Sequence, residues 1–195
     1  TGLPASQELG TPVIDPQTPT TLYVTVADAV YKTTNSGGQW QLSNTGISGV
    51  NLTDPVVDPQ TPSNVYVIAT SGTNALGVLY KSTNGGGQWN AVDLGNSNYG
   101  ALVIEVDPTN SATLYTGTLA NGVLKSTNSG TSWALKNTGI KALVQYMALD
   151  ASNKNTIFAG LFGEGVFQST DGGNNWTAKN AGLQGLMVRG LAMSQ

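Results

Sequence analysis

The chain has no cysteine and no histidine in 195 residues, and its only arginine is Arg189. Those gaps exclude disulfides, thiolate chemistry, His- or Cys-held zinc, haem ligation through His, and His-based catalytic triads within the chain. Charge is scarce too. Charged residues make up 10% of the sequence, the net charge is −3, and the lysines stand singly. That pattern argues against a groove tracking nucleic-acid phosphates. No apolar run approaches the ~20 residues of a membrane-spanning helix. No stretch sustains a 3.6-residue apolar period either, so almost no helix is expected. The glycine run Gly85-Gly86-Gly87 lies in a polar turn rather than between a strand and a helix, so a phosphate loop is not expected. No metal and no cofactor are expected.

What the chain does have is an octapeptide repeated four times: Thr33 to Trp40 (TTNSGGQW), Ser82 to Trp89 (STNGGGQW), Ser126 to Trp133 (STNSGTSW) and Ser169 to Trp176 (STDGGNNW). All four tryptophans fall here, spaced 49, 44 and 43 residues apart. The residue types are those of a turn. An Asn or Asp side chain accepts from backbone N–H groups just ahead of it, a hydroxyl does the same, and Gly takes φ > 0 without steric cost. Trp adds one large apolar anchor. The positions expected to build each turn are Thr33, Asn35, Gly37 and Trp40; Ser82, Asn84, Gly86 and Trp89; Ser126, Asn128, Gly130 and Trp133; Ser169, Asp171, Gly173 and Trp176. All four tryptophans are expected to be buried and equivalent.

Each repeat has the same order around its turn. An apolar run ends in Asp at Asp15, Asp58, Asp107 and Asp150, followed in the first three by Pro. Pro presets φ and drives the residue before it to extended geometry, so a tight turn opens there. Alternating strands follow at Leu22 to Val26, Val65 to Ala69, Leu114 to Thr118 and Ile157 to Leu161. Third strands run Val30 to Thr33, Val78 to Ser82, Val123 to Ser126 and Val166 to Ser169, and a fourth starts at each Trp. Connectors such as Asn44-Thr45-Gly46-Ile47, Asn137-Thr138-Gly139-Ile140 and Asn180-Ala181-Gly182-Leu183 lead onward. Four antiparallel strands per repeat of this length make a propeller blade.

The octapeptide resembles the Asp-box, or BNR, repeat, S-x-D-x-G-x-x-W, found in sialidases, xyloglucan-degrading glycosidases, sortilin-type receptors and photosystem-assembly propellers. Only Asp171 matches the acid; the other three turns carry Asn. The resemblance implies an all-β propeller in which the box is structural, the Asp-ending strand innermost and the Trp-starting strand outermost. The expected domain is a single propeller, or segment of one, over 1–195, with blades at about 11–44, 54–94, 102–137 and 145–180. Residues 186–193 are expected to start a further blade or to close the ring. Thr1-Gly2-Leu3 looks like one of the connectors, so the chain reads as four blades of a longer propeller of about six to eight. The competing reading is a small closed propeller whose terminal strand seals the ring or pairs with a second copy.

Strand parity places the loops between second and third strands on one face with the connectors. Asp28, Asn121 and Glu164 stand there, with Tyr99 in an insertion and Tyr146, Lys141 and Arg189 nearby. Of these, Asp28, Asn121, Glu164, Tyr99, Tyr146 and Arg189 are the candidate ligand-binding residues, and the loop-rich face is where a glycan or protein partner is expected. The insertion 71–77 lies on the same face. Sialidase relatives bind a carboxylate with three arginines; one arginine excludes that here. Xyloglucan-degrading relatives set an acid and a base Asp in separate propellers, and Asp28 falls in the kind of loop that carries one. Asp28 and Glu164 are thus the weak catalytic candidates; glycoside hydrolysis needs two carboxyls roughly 5–9.5 Å apart. Glu105 alternates with Ile104 and Val106 in an inner strand and is expected to line the central channel. The reading is a non-enzymatic extracellular binding or scaffold module, with a glycosidase-like propeller or a self-assembling subunit as alternatives. Low charge and Thr/Asn richness associate the chain with bacterial or archaeal exported proteins.

Overall fold

The computed structural model describes residues 1–5, 7–70, 76–140 and 143–193. Lys141 and most of the 71–77 insertion fall outside them. The described residues contain no helix and seventeen strands, in two compact units, Thr1–Val92 and Asp93–Gln195.

Unit one holds two blades. The first orders β1 (Val13–Ile14), β2 (Leu22–Val26), β3 (Ala29–Thr33) and β4 (Gln41–Leu42) from inside out. In the second, β7 (Val65–Thr70) pairs with both β5 (Val50–Leu52) and β6 (Val56–Val57), and β8 (Gly77–Ser82) and β9 (Trp89–Ala91) follow. Unit two repeats the design. Its blades are β10 (Ala101–Val106), β11 (Leu114–Thr118), β12 (Val123–Ser126) and β13 (Ala134–Leu135), then β14 (Val144–Leu149), β15 (Ile157–Leu161), β16 (Gly165–Ser169) and β17 (Thr177–Ala178). Neighbouring strands are antiparallel throughout. The second and third strands fall where alternation put them. The inner strands β10 and β14 run longer than their apolar runs, with register shifts near Ala101 and Val144, and in the second blade the separate strand β5, with its own shift near Val50, adds to β6 on the same edge of β7. In the first blade Leu9 bridges Val26 in the same place. Residues 186–193 carry no strand; Leu186 O accepts from Gly165 N at 3.0 Å and Val188 lies over Gly160.

All four octapeptide turns close in one way. The leading hydroxyl donates to the Asn or Asp oxygen at 2.8–3.0 Å and accepts from the backbone N–H of Gly37, Gly86, Gly130 or Gly173. The same Oδ1 accepts from the N–H four residues on. A carbonyl oxygen of Asn does this as well as a carboxylate, which explains why three turns lack the acid. Asp15, Asp58, Asp107 and Asp150 are turn caps as well, each accepting from N–H groups two or three residues ahead.

The tryptophans are not equivalent. Trp89 and Trp176 are 1% and 4% exposed, whereas Trp40 and Trp133 are only half-buried. Trp89 donates Nε1–H to Ser43 O and its backbone N–H to Thr45 O, at 2.8 and 2.9 Å. Trp176 treats Lys136 O and Thr138 O alike. Trp133 turns its Nε1–H onto Gly130 of its own turn. Trp40 meets Thr1 O through its backbone N–H, so Thr1-Gly2 takes the place against Trp40 that Thr45-Gly46 takes against Trp89. A Cβ on Gly2, Gly46 or Gly139 would lie 2.2–2.3 Å from the facing Trp carbonyl oxygen. Only glycine allows that approach.

Tyrosine and lysine complete the joints between blades. Tyr23 Oη–H and Lys32 Nζ both donate to Gly85 O, and Tyr115 Oη–H and Lys125 Nζ both donate to Gly172 O. Each lysine also sits over its tyrosine ring, 5.3 and 5.0 Å from the centroid. Burial, then nearby Asp15 or Asp107, holds Tyr23 and Tyr115 at about 12.

Candidate functional site

In the first, third and fourth blades, an Asn side chain ties the connector to the loop between second and third strands. Asn44 Oδ1 accepts from Val30 N, Asn180 Oδ1 from Val166 N, and Asn137 Nδ2 donates to Asn121 O. Loops and connectors therefore do share one face. On that face of unit one lies a cavity of about 350 Å³, lined by Glu8, Leu9, Gly10, Thr25, Ala27, Asp28, Asn51, Leu52 and Asp54.

The β2–β3 hairpin carries Asp28 into this cavity. Its two-residue loop is Ala27-Asp28, and Ala27 adopts φ +52°, a conformation that glycine would take more readily. Asn51, on the facing strand β5, also has φ +51°. Its backbone N–H donates to Asp28 Oδ1 at 2.7 Å. Asp54 is fixed from the other side: its Oδ1 accepts from Thr11 N at 2.8 Å and lies 3.4 Å from Thr25 Oγ1. Gly10 passes beneath, where a Cβ would meet Asp54 Oδ1 and Thr25 Oγ1 at 2.3 Å each. Both aspartates thus use one oxygen to hold loop backbone, and no described residue bonds the second oxygen of either.

The other sequence candidates do not join this cavity. Glu164 is in unit two; its backbone carbonyl accepts from Asn180 Nδ2, and its side chain is exposed. Asn121 N–H donates to Thr118 Oγ1 in its own hairpin. Tyr99 is half-buried in the Asp93–Gly100 loop, Tyr146 lies on β14 opposite Gly160, and Arg189 is exposed in the terminal segment. Glu8 and Asp54 were missed as partners of Asp28. Asp54-Pro55 offered a signal, being an Asp-Pro outside the series that ends the inner strands. Glu8 gave none, since its place depends on the Leu9–Val26 bridge. Among the described residues no three His, Cys, Asp or Glu side chains are grouped to hold a metal ion.

No family model and no curated protein matches the chain. Solved structures do. An ancestral GH74 enzyme is 25% identical with TM-score 0.72, over 89% of this chain and 25% of that one. The Niastella koreensis GH74 enzyme is 25% identical with TM-score 0.68, over 86% and 29%. The extracellular domain of a putative one-component system from B. thetaiotaomicron is 13% identical with TM-score 0.70, over 100% and 26%. The fold is that of β-propeller blades. The chain spans between a quarter and a third of the length of each of these propeller proteins.

Proposed function

We propose that the chain is a non-enzymatic binding module of an exported propeller, built on Asp-box turns, and that the Asp28 cavity takes a hydroxyl-rich ligand such as a glycan. The observation that carries this is the pair of open carboxylate oxygens on Asp28 and Asp54. They face one cavity and belong to side chains already fixed by backbone N–H groups, so they offer preorganised acceptors to ligand hydroxyls. The same anchoring speaks against turnover, because each acid is committed to holding a loop. The four turns support the Asp-box assignment through their shared hydrogen-bond pattern, and the extracellular neighbour supports export. A second reading, glycoside hydrolysis, is favoured by the 25% identity to two GH74 enzymes and by the three acids, Glu8, Asp28 and Asp54, on one cavity.

The test is titration of soluble β-glucan and xyloglucan oligosaccharides by calorimetry, with released reducing ends assayed in parallel. Saturable binding that is lost in Asp28→Ala, without product, is the expected result. Product formation abolished by Asp28→Asn would establish the hydrolase reading instead. No binding by any of these glycans would remove the glycan ligand.

A further inference from the structure

The joint inside unit one and the joint inside unit two are built alike. In unit one, Tyr23 and Val30 of the first blade share a buried cluster with Val57, Val65, Tyr80 and Trp89 of the second, and Ile47 of the connector packs against it. In unit two, Tyr115, Val123 and Ile140 do the same with Met147, Ile157 and Trp176 of the fourth blade. In both, the leading blade's connector gives two carbonyls to the follower's tryptophan, and its glycine passes under that tryptophan's own carbonyl. Each joint thus has a leading half and a following half.

The chain carries one further copy of each half, and neither is filled. On the fourth blade, Phe158 and Val166 stand in the register of Tyr115 and Val123 but are only half-buried. Leu183 is 48% exposed where Ile140 is 2% exposed. Gly182 has φ +84°, close to the +89° of Gly139, yet nothing lies within 4 Å of its Cβ position, where Gly139 meets Trp176 O. On the first blade, Ile14 is 53% exposed where Val57 is 9% exposed. Tyr31 and Trp40 are half-buried where Tyr80 and Trp89 are buried. No described residue accepts from Trp40 Nε1–H; Thr1-Gly2 fills only the backbone half of that slot.

We propose that the fourth blade of one copy docks on the first blade of a second copy, head to tail, through the joint that already holds blades together within each unit. The second copy's Trp40 gives its indole N–H to Lys179 O, the counterpart of Ser43 O and Lys136 O, and Ala181-Gly182 displaces Thr1-Gly2 from its backbone. The two open halves match each other and neither matches itself, so the contact is heterologous and propagates beyond a dimer. Phe158 and Gln168 replace the Tyr–Lys donors of the internal joints, so this joint is the weaker kind and exchanges reversibly.

Sedimentation velocity from micromolar concentrations to about 1 mM tests it. The unaltered chain should show a mean mass that rises with concentration past that of a dimer. Leu183→Glu and Ile14→Glu alter exposed side chains, so both variants keep the fold, and each alone should stay monomeric. Their equimolar mixture should give a heterodimer and nothing larger, because one intact half of each kind remains. In nitrogen-labelled protein the Trp40 indole N–H signal should move with concentration, while those of Trp89 and Trp176, already bonded, stay in place. An unaltered chain that is monomeric at about 1 mM, single variants that assemble as it does, a mixture without heterodimer, or a fixed Trp40 signal would each overturn the proposal.

Discussion

Trp89 and Trp176 occupy the same position in the same octapeptide as Trp40 and Trp133, yet the first pair is buried and the second only half-buried. The turns themselves do not differ: hydroxyl, Asn or Asp, and glycine close alike in all four. What differs is the carbonyl pair offered to the ring and its backbone. Ser43 and Thr45 meet Trp89, and Lys136 and Thr138 meet Trp176. Trp133 bonds its indole within its own turn. The turn is thus a local structure, and the anchor is a tertiary one.

Removing the anchors should sharpen that contrast most. Trp89→Ala and Trp176→Ala should each cost about 3–5 kcal/mol, as truncations of buried aromatics. Trp133→Ala should cost roughly half as much, since less of its surface leaves water. Denaturant midpoints at constant m-value measure this; equal losses at Trp133 and Trp176 would break the distinction.

Glu105 gives the next largest effect. A carboxyl that desolvation raises to about 7 in the folded chain contributes stability that is fully present below its unfolded value and is lost as pH rises through about 7. Glu105→Gln should remove that loss and stabilise the chain at pH 8 by on the order of 2 kcal/mol, with little change at pH 4. Thermal unfolding across pH checks it; a Gln variant no more stable at pH 8 would contradict that raised value.

The tyrosine–lysine joints come third. Tyr115→Phe deletes one donor to Gly172 O but leaves Lys125 in place, so the cost should be about 1 kcal/mol. The fourth blade already has Phe158 and Gln168 at these two positions. Making Phe158→Tyr should therefore gain nothing within the chain, and a gain comparable to the Tyr115 loss would show a carbonyl waiting there.

The smallest effect is expected at Asp171. Hydrogen bonds from the Asn175 side chain and backbone, then Ser169, hold its carboxyl down at about 2. Its contribution is present above its unfolded value and lost as pH falls through about 2. Asp171→Asn should leave the neutral-pH melting temperature unchanged and flatten the acid limb, because Asn closes the other three turns. A large loss at neutral pH would mean that the carboxylate has a role the other blades lack.

The octapeptide, the Asp-Pro turns and strand alternation made the blades legible from sequence because their forces are local. An Asx side chain bonds backbone two to four residues away, and alternation needs only the pleat. Two features did not follow from those rules. The inner strands β10 and β14 continue past their apolar runs through register shifts, and 186–193 forms no strand although it is apolar enough to suggest one. Loops and connectors shared a face as parity required, so Asp28 could be placed there in advance. Its partners could not.

By itself, then, the sequence determined four turns, four sheets and the face that carries the loops, since each rests on interactions within a few residues. Tertiary structure decided which tryptophans are anchors and that Asp54 and Glu8 join Asp28 around one cavity. Those outcomes depend on carbonyls and carboxyls brought together from segments tens of residues apart, and no local pattern encodes that meeting.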